Sequence, residues 1–153
     1  MSDNQQPSFQ IEKIYVKDLS LELPNAPQVF MEPETPQLDV QINNEAAQLS
    51  DGLFEVVVTV TVTARGAGKT MFLVEAAQAG IFSIRGVPEQ EIDPLLAIAC
   101  PNILYPYVRE TVSDLVVRGG FPPVLLAPVS FEALYQQRQQ KLASAVQAEP
   151  AAG

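Results

Sequence analysis

A chain of 153 residues with nine Lys and Arg against eighteen Asp and Glu, net charge −9, suits one domain and argues against binding nucleic acid or anionic membrane through a basic patch. It has no histidine, the commonest general base and metal ligand, and its single Cys100 permits neither an internal disulfide nor a cysteine-only metal site. A reducing compartment is therefore expected, and from the polar, acidic stretch MSDNQQPSFQ neither a signal peptide nor a membrane span is expected. One domain is expected over residues 9–146, between flexible ends at 1–8 and 147–153.

Strands come first. From Lys17 to Leu23 the residues alternate, with Leu19, Leu21 and Leu23 on one face and Asp18, Ser20 and Glu22 on the other. Pro24-Asn25-Ala26-Pro27 breaks this strand, and Phe30 to Pro36 reads as an extended connection. Alternation resumes with Leu38, Val40 and Ile42 opposite Asp39, Gln41 and Asn43. The strongest strand signal is Phe54 to Thr63, where Phe54, Val56, Val58, Val60 and Val62 oppose Glu55, Val57, Thr59, Thr61 and Thr63. After a turn at Arg65 to Lys69, a further strand sets Phe72, Val74 and Ala76 against Leu73, Glu75 and Ala77 and continues to Ile84.

Helices follow. Asp93-Pro94 is expected to open a short one that Pro101 interrupts. A long helix from Asn102 to Arg118 then carries Ile103, Leu104, Tyr107, Val108, Thr111, Val112, Leu115 and Val116 over more than half of its circumference. Such a helix needs cover on two sides, a sheet and a second copy of the chain. Gly119-Gly120 ends it and an apolar, proline-rich run follows. Ser130 caps a last helix, Phe131 to about Val146, whose apolar stripe among glutamines is thin. Strands before helices predict an α+β domain, a four-stranded antiparallel sheet with helices packed on one face.

Gly66-Ala67-Gly68-Lys69-Thr70 ends like a phosphate-binding loop. The full pattern requires a glycine where Thr63 stands, and a strand rather than a helix follows, so a hairpin turn accounts for the glycines. Asp18 and Glu22 lie about 13 Å apart along a strand, too far for joint acid–base work on one bond. Glu89, Glu91 and Asp93 read as a solvated helix start, and no ordered ligand spacing marks a metal site.

Four stretches, IYVKDLSLELPNAP, FLVEAAQAGIFSI, CPNILYPYVRE and RGGFPPVLLAPVSFEALY, resemble in order and spacing the bacterial SecB protein-export chaperone family, from about Phe9 to about Tyr135. The resemblance implies an ATP-independent, cytoplasmic chaperone that holds secretory precursors unfolded and delivers them to the SecA motor. It implies a homotetramer built as a dimer of dimers, with no catalytic residue, cofactor or metal; zinc belongs to the partner's basic docking module. Asp18, Glu22, Leu73 and Glu75 match positions that contact SecA, on a strand face that also reads as an ordinary solvated surface. Client binding is implied between the Phe30 to Ile42 region and the last helix, with candidates Leu38, Val40, Ile42, Phe131 and Tyr135; core packing also accounts for the first three. Val74, Ala76 and Gln78, with Leu104, Val108, Thr111 and Leu115 of the long helix, are the implied oligomer interface. Glu34 stands where the family pattern has an aromatic, and Gln136 to Gln139 make the last helix more polar than the pattern. A structural or adaptor protein that binds one folded partner through the same sheet is the alternative; promiscuous suppression of aggregation separates the two.

Overall fold

In a computed structural model that describes residues 6–32 and 35–148, four long strands form one antiparallel sheet in the order β1-β4-β3-β2: β1 (Ser8–Glu22), β2 (Gln37–Ser50), β3 (Leu53–Gly66) and β4 (Lys69–Arg85). The valine alternation of β3 decides which face is dry. Phe54, Val56, Val58, Val60 and Val62 point to one side together with Phe72, Val74, Ala76 and Phe82 of β4, and all of them are buried. β1 is longer than its alternation over Lys17 to Leu23 predicts, because two bulges, at Ile11/Lys13 and Val16/Asp18, interrupt the period without ending the strand. The expected flexible ends fall largely outside the described residues, at 1–5 and 149–153, as does Glu34; where described, Ser8 already belongs to β1 and the last helix runs to Ala148.

The turn between β3 and β4 contains no phosphate loop. Ala67 and Gly68 both take left-handed backbone angles, φ 54° and 73°, which is the two-residue hairpin geometry whose twist matches the strands it joins. Between β1 and β2 the chain makes a short 3-10 turn, Gln28–Met31, which takes in Phe30 and Met31 of the expected extended connection; Val29 is buried there and anchors the turn to the core.

Residues 89–118 form a continuous helical run, α1 (Glu89–Pro94), a π-helical stretch (Leu95–Ala99) and α2 (Cys100–Arg118). Asp93-Pro94 does not open α1 but closes it, and Pro101 does not interrupt the run. Pro101 cannot donate to the carbonyl of Ala97, and that carbonyl instead accepts from Asn44 Nδ2 of β2 at 3.3 Å. α2 lies on the dry face of β3 and β4 with Cys100, Leu104, Tyr105, Val108, Val112 and Val116 buried. Burial pushes the Cys100 thiol up to about 12, which makes it a small core residue. Gly120, at φ 87°, stops α2: its N–H donates to Val117 and the Phe121 N–H reaches back to Val116. α3 (Phe131–Ala148) starts on Ser130, whose Oγ accepts from the Ala133 N–H at 3.1 Å.

Candidate functional site

Both faces of the sheet carry candidate residues. On the face away from the helices, the register sets side chains in straight rows across the four strands. Asp39, Thr63, Leu73 and Glu22 make one row; Gln41, Thr61, Glu75 and Ser20 the next; Asn43, Thr59, Ala77 and Asp18 the third. The four expected SecA-contact residues, Asp18, Glu22, Leu73 and Glu75, therefore come together on two adjacent strands, with Glu75 diagonally between the two β1 carboxylates. The bulge at Val16/Asp18 is what aims Asp18 here. With strict alternation from Tyr15, which stands on this open face, Asp18 would have turned toward the helices. Glu75 is exposed and its Oε1 accepts from Thr61 Oγ1 at 3.2 Å, so its carboxylate is oriented by the neighbouring strand.

Below the third row lie Tyr15, Ala79, Val57 and Glu45, then Lys13, Ile81, Glu55 and Ala47. Lys17 Nζ reaches Glu55 Oε1 at 2.8 Å, and the Tyr15 hydroxyl donates to Glu55 Oε2. First Lys17 and then Tyr15 hold the Glu55 carboxyl below its ordinary range, while the bond to Glu55 pushes the Tyr15 phenol up to about 12. This tie between β1 and β3 was not foreseen, since neither alternation nor motif relates residues 38 positions apart.

On the helix side, β2 is only partly covered. Leu38 and Val40 remain 46% and 41% exposed, Ile42 is half-buried against the core, and Asn44 is half-buried at the far end. Leu38 borders an apolar cleft of about 510 Å³ whose other walls are Pro36, Met71, Phe72 and the segment Phe121 to Leu125. Phe121 stacks on Phe30 and Phe72 at 5.2 and 4.9 Å between ring centres, and Leu125 is 84% exposed. These cleft residues were not among the sequence candidates. The signal was the run after Gly-Gly itself, apolar yet too rich in proline for a strand, which leaves oily side chains without a sheet to bury them.

Two client candidates on α3 are placed otherwise than expected. Phe131 is 1% exposed and packs edge-on against Tyr105 at 5.8 Å, so it belongs to the core. Tyr135 is half-buried and its hydroxyl donates to Asp93 Oδ2 at 3.2 Å, which, with Arg138 Nη2 to Asn44 Oδ1 at 2.8 Å, seats the base of α3. Burial and Asp93 raise the Tyr135 phenol.

Most residues of the expected oligomer face lie inside the protomer. Val74, Ala76, Gln78, Leu104 and Val108 are buried inside the protomer, because its own α2 covers β4; Thr111 Oγ1 approaches Gln78 Oε1 at 3.4 Å. Thr111 and Leu115 stay partly open on the other side of α2. A row that was not singled out is more exposed: Phe9, Ile11, Val16 and Leu19 stand on the helix side of edge strand β1.

A sheet with an apolar cleft beside its helices and an acidic, threonine-lined open face defines a protein-binding module with two separate surfaces. Residues 2–142 match the family model described as Preprotein translocase subunit SecB, and the chain belongs to the SecB family of protein-export chaperones. It is 61% identical to the protein-export protein SecB of Methylobacillus flagellatus over 94% of this chain and 92% of that one. It is 62% identical to that of Chromobacterium violaceum, over 95% and 98%. Among solved structures, a SecB-like chaperone of Mycobacterium tuberculosis, in complex with a peptide from an antitoxin, shares the fold with a TM-score of 0.62 at 23% identity, over 80% of this chain and 91% of that one.

Proposed function

We propose that this protein holds secretory precursors unfolded through its helix-side cleft and hands them to SecA through the open face of the same sheet, without ATP and without catalysis. The observation that carries the reading is the separation of the two surfaces: the cleft at Leu38, Phe121 and Leu125 and the carboxylates at Asp18, Glu22 and Glu75 project from opposite faces. A client and the motor then engage together, as delivery requires. Apolar surface with few fixed polar groups suits unfolded chains of many sequences, and the unpaired edge of β2 beside Leu38 and Val40 offers backbone groups as well. Of the client candidates, Leu38 and Val40 are retained with the cleft residues; Ile42 supports them from below, and Tyr135 positions α3.

The assembly belongs to the same proposal. The exposed row Phe9, Ile11, Val16 and Leu19 on β1, together with the exposed Tyr107 and the partly open Thr111 and Leu115 of α2, supports association of copies, and the family supports a dimer of dimers. A cytoplasmic location follows from the delivery role. Among the described residues, no helix is long and apolar enough to cross a membrane. Suppression of aggregation of several unrelated unfolded precursors, with binding of purified SecA measured in parallel, tests the reading. Holding confined to one folded partner would instead favour an adaptor.

A further inference from the structure

We infer that Lys17, fixed on Glu55 and flanked by Tyr15, is a specificity-determining residue of the open face: it withdraws one carboxylate from the acidic surface and sets the border beyond which a basic partner gains nothing. The inference rests on the open face being the docking surface for SecA. Glu55 stands on that face, two rows below Asp18, and left alone it would extend the negative surface. Both of its oxygens are occupied instead, Oε1 by Lys17 at 2.8 Å and Oε2 by the Tyr15 hydroxyl. Its side chain is 15% exposed whereas that of Lys17 is 50% exposed, so an approaching partner meets the ammonium group and its stem before the carboxylate. Lys13, in the same row as Glu55, adds a second cation. Along β1 and its neighbour β4 the charge thus changes sign, from Glu22, Glu75 and Asp18 to Lys17 and Lys13, while Glu45 keeps the far strand β2 negative. A basic segment is attracted to the acidic rows and gains nothing at the β1 side beyond them, where Lys17 and Lys13 stand, which fixes where it settles as well as how fast it arrives.

The bulge at Val16/Asp18 makes this possible, since it lets Lys17 and Asp18 stand on the same face as direct neighbours in sequence. At low ionic strength, where charges act over about 30 Å at 0.01 M, the Lys17 cation weakens the pull of the acidic rows; at about 8 Å, the physiological range, its influence is local.

Association of purified SecA with the full chain is the test, comparing wild type with Lys17→Gln, Lys17→Gln/Glu55→Gln, and Lys141→Gln on the distant, exposed surface of α3. Lys17→Gln uncovers Glu55 and should tighten binding about threefold at low salt, an advantage that shrinks as salt rises. The double variant should return to wild-type affinity, and Lys141→Gln, which changes net charge equally, should move binding much less. Equal effects of Lys17→Gln and Lys141→Gln would overturn the border, leaving only net charge. Glu75→Lys in the same series separates the two levels: if it leaves binding unchanged, the docking face itself is wrong, whatever Lys17 does.

Discussion

The two faces of the sheet are built from the same strands yet hold opposite kinds of residue. On the helix side, β3 and β4 present Val56, Val58, Val60, Val62, Phe72 and Val74, closed over by α2 to near-zero exposure. On the open side the same strands present Thr59, Thr61, Thr63 and Leu73, partly exposed, and Glu75, exposed and bonded across strands by Thr61. The first face specifies the fold and tolerates little. The acidic end of the second carries little folding duty beside the buried Val57 and Ala79 and the Lys17–Glu55–Tyr15 tie below it, so its charges can vary without opening the core. The edges are intermediate: apolar residues on β1 and β2, among them Ile11, Val16, Leu38 and Val40, stay exposed on the helix side.

The largest difference should come from the dry face. Leu104→Ala removes a fully buried side chain above Gly80 and should cost about 2–5 kcal/mol, read as a lowered urea midpoint. Thr59→Ala on the open face should cost about 1 kcal/mol or less. Similar losses for both would break the division.

Partner binding should invert the order. Glu75→Lys should weaken SecA binding about tenfold, equivalent to about 1.4 kcal/mol, while leaving the melting temperature and client holding unchanged. Binding should also fall with salt, and calorimetric titration at two salt concentrations checks both statements. Leu125→Ser, in the cleft, should weaken client holding about fivefold, near 1 kcal/mol, with SecA binding intact. Fluorescence titration of an unfolded precursor measures it; an unchanged affinity would remove the proline-rich segment from the client surface.

The smallest effect concerns pH. Glu55 has a folded-state pKa below its ordinary 4.5, so its contribution is present above that value and lost as pH falls through the lower folded value. Tyr15 is raised from 10.0 to about 12, so its contribution is full below 10 and disappears as pH rises through about 12. Glu55→Gln should flatten both limbs in denaturant midpoints measured across pH, with little change near neutrality beyond the loss of the tie itself. Unaltered limbs would show that Lys17 and Tyr15 do not stabilise the carboxylate.

What was legible in the sequence follows the same division. Period-two alternation in β3 marked the dry face residue by residue, and the glycine stop after Arg118 and the cap at Ser130 were readable because each is a local device. Residues whose meaning depends on distant elements were not. Val74, Ala76, Leu104 and Val108 are apolar in the way an interface is, and only the docking of α2 on β4 shows that they are core. Phe131 looked available on a thin helical stripe until Tyr105 supplied its partner. The start of the helical run was misplaced because Pro94 and Pro101 normally mark boundaries, and the donor that compensates Ala97 comes from Asn44, far upstream. The carboxylate group at Asp18, Glu22 and Glu75 was proposed on resemblance; the register supplies the physical reason that these residues are neighbours.

The central claim is that client and motor use opposite faces at the same time. Light scattering on a mixture of this protein, an unfolded secretory precursor and SecA tests it most directly, with Glu75→Lys run beside wild type. At concentrations near the wild-type dissociation constant for SecA, one ternary complex is expected for wild type and chiefly the binary complex with the precursor for Glu75→Lys. Mutually exclusive binding of precursor and SecA, or loss of both from the variant, would contradict it.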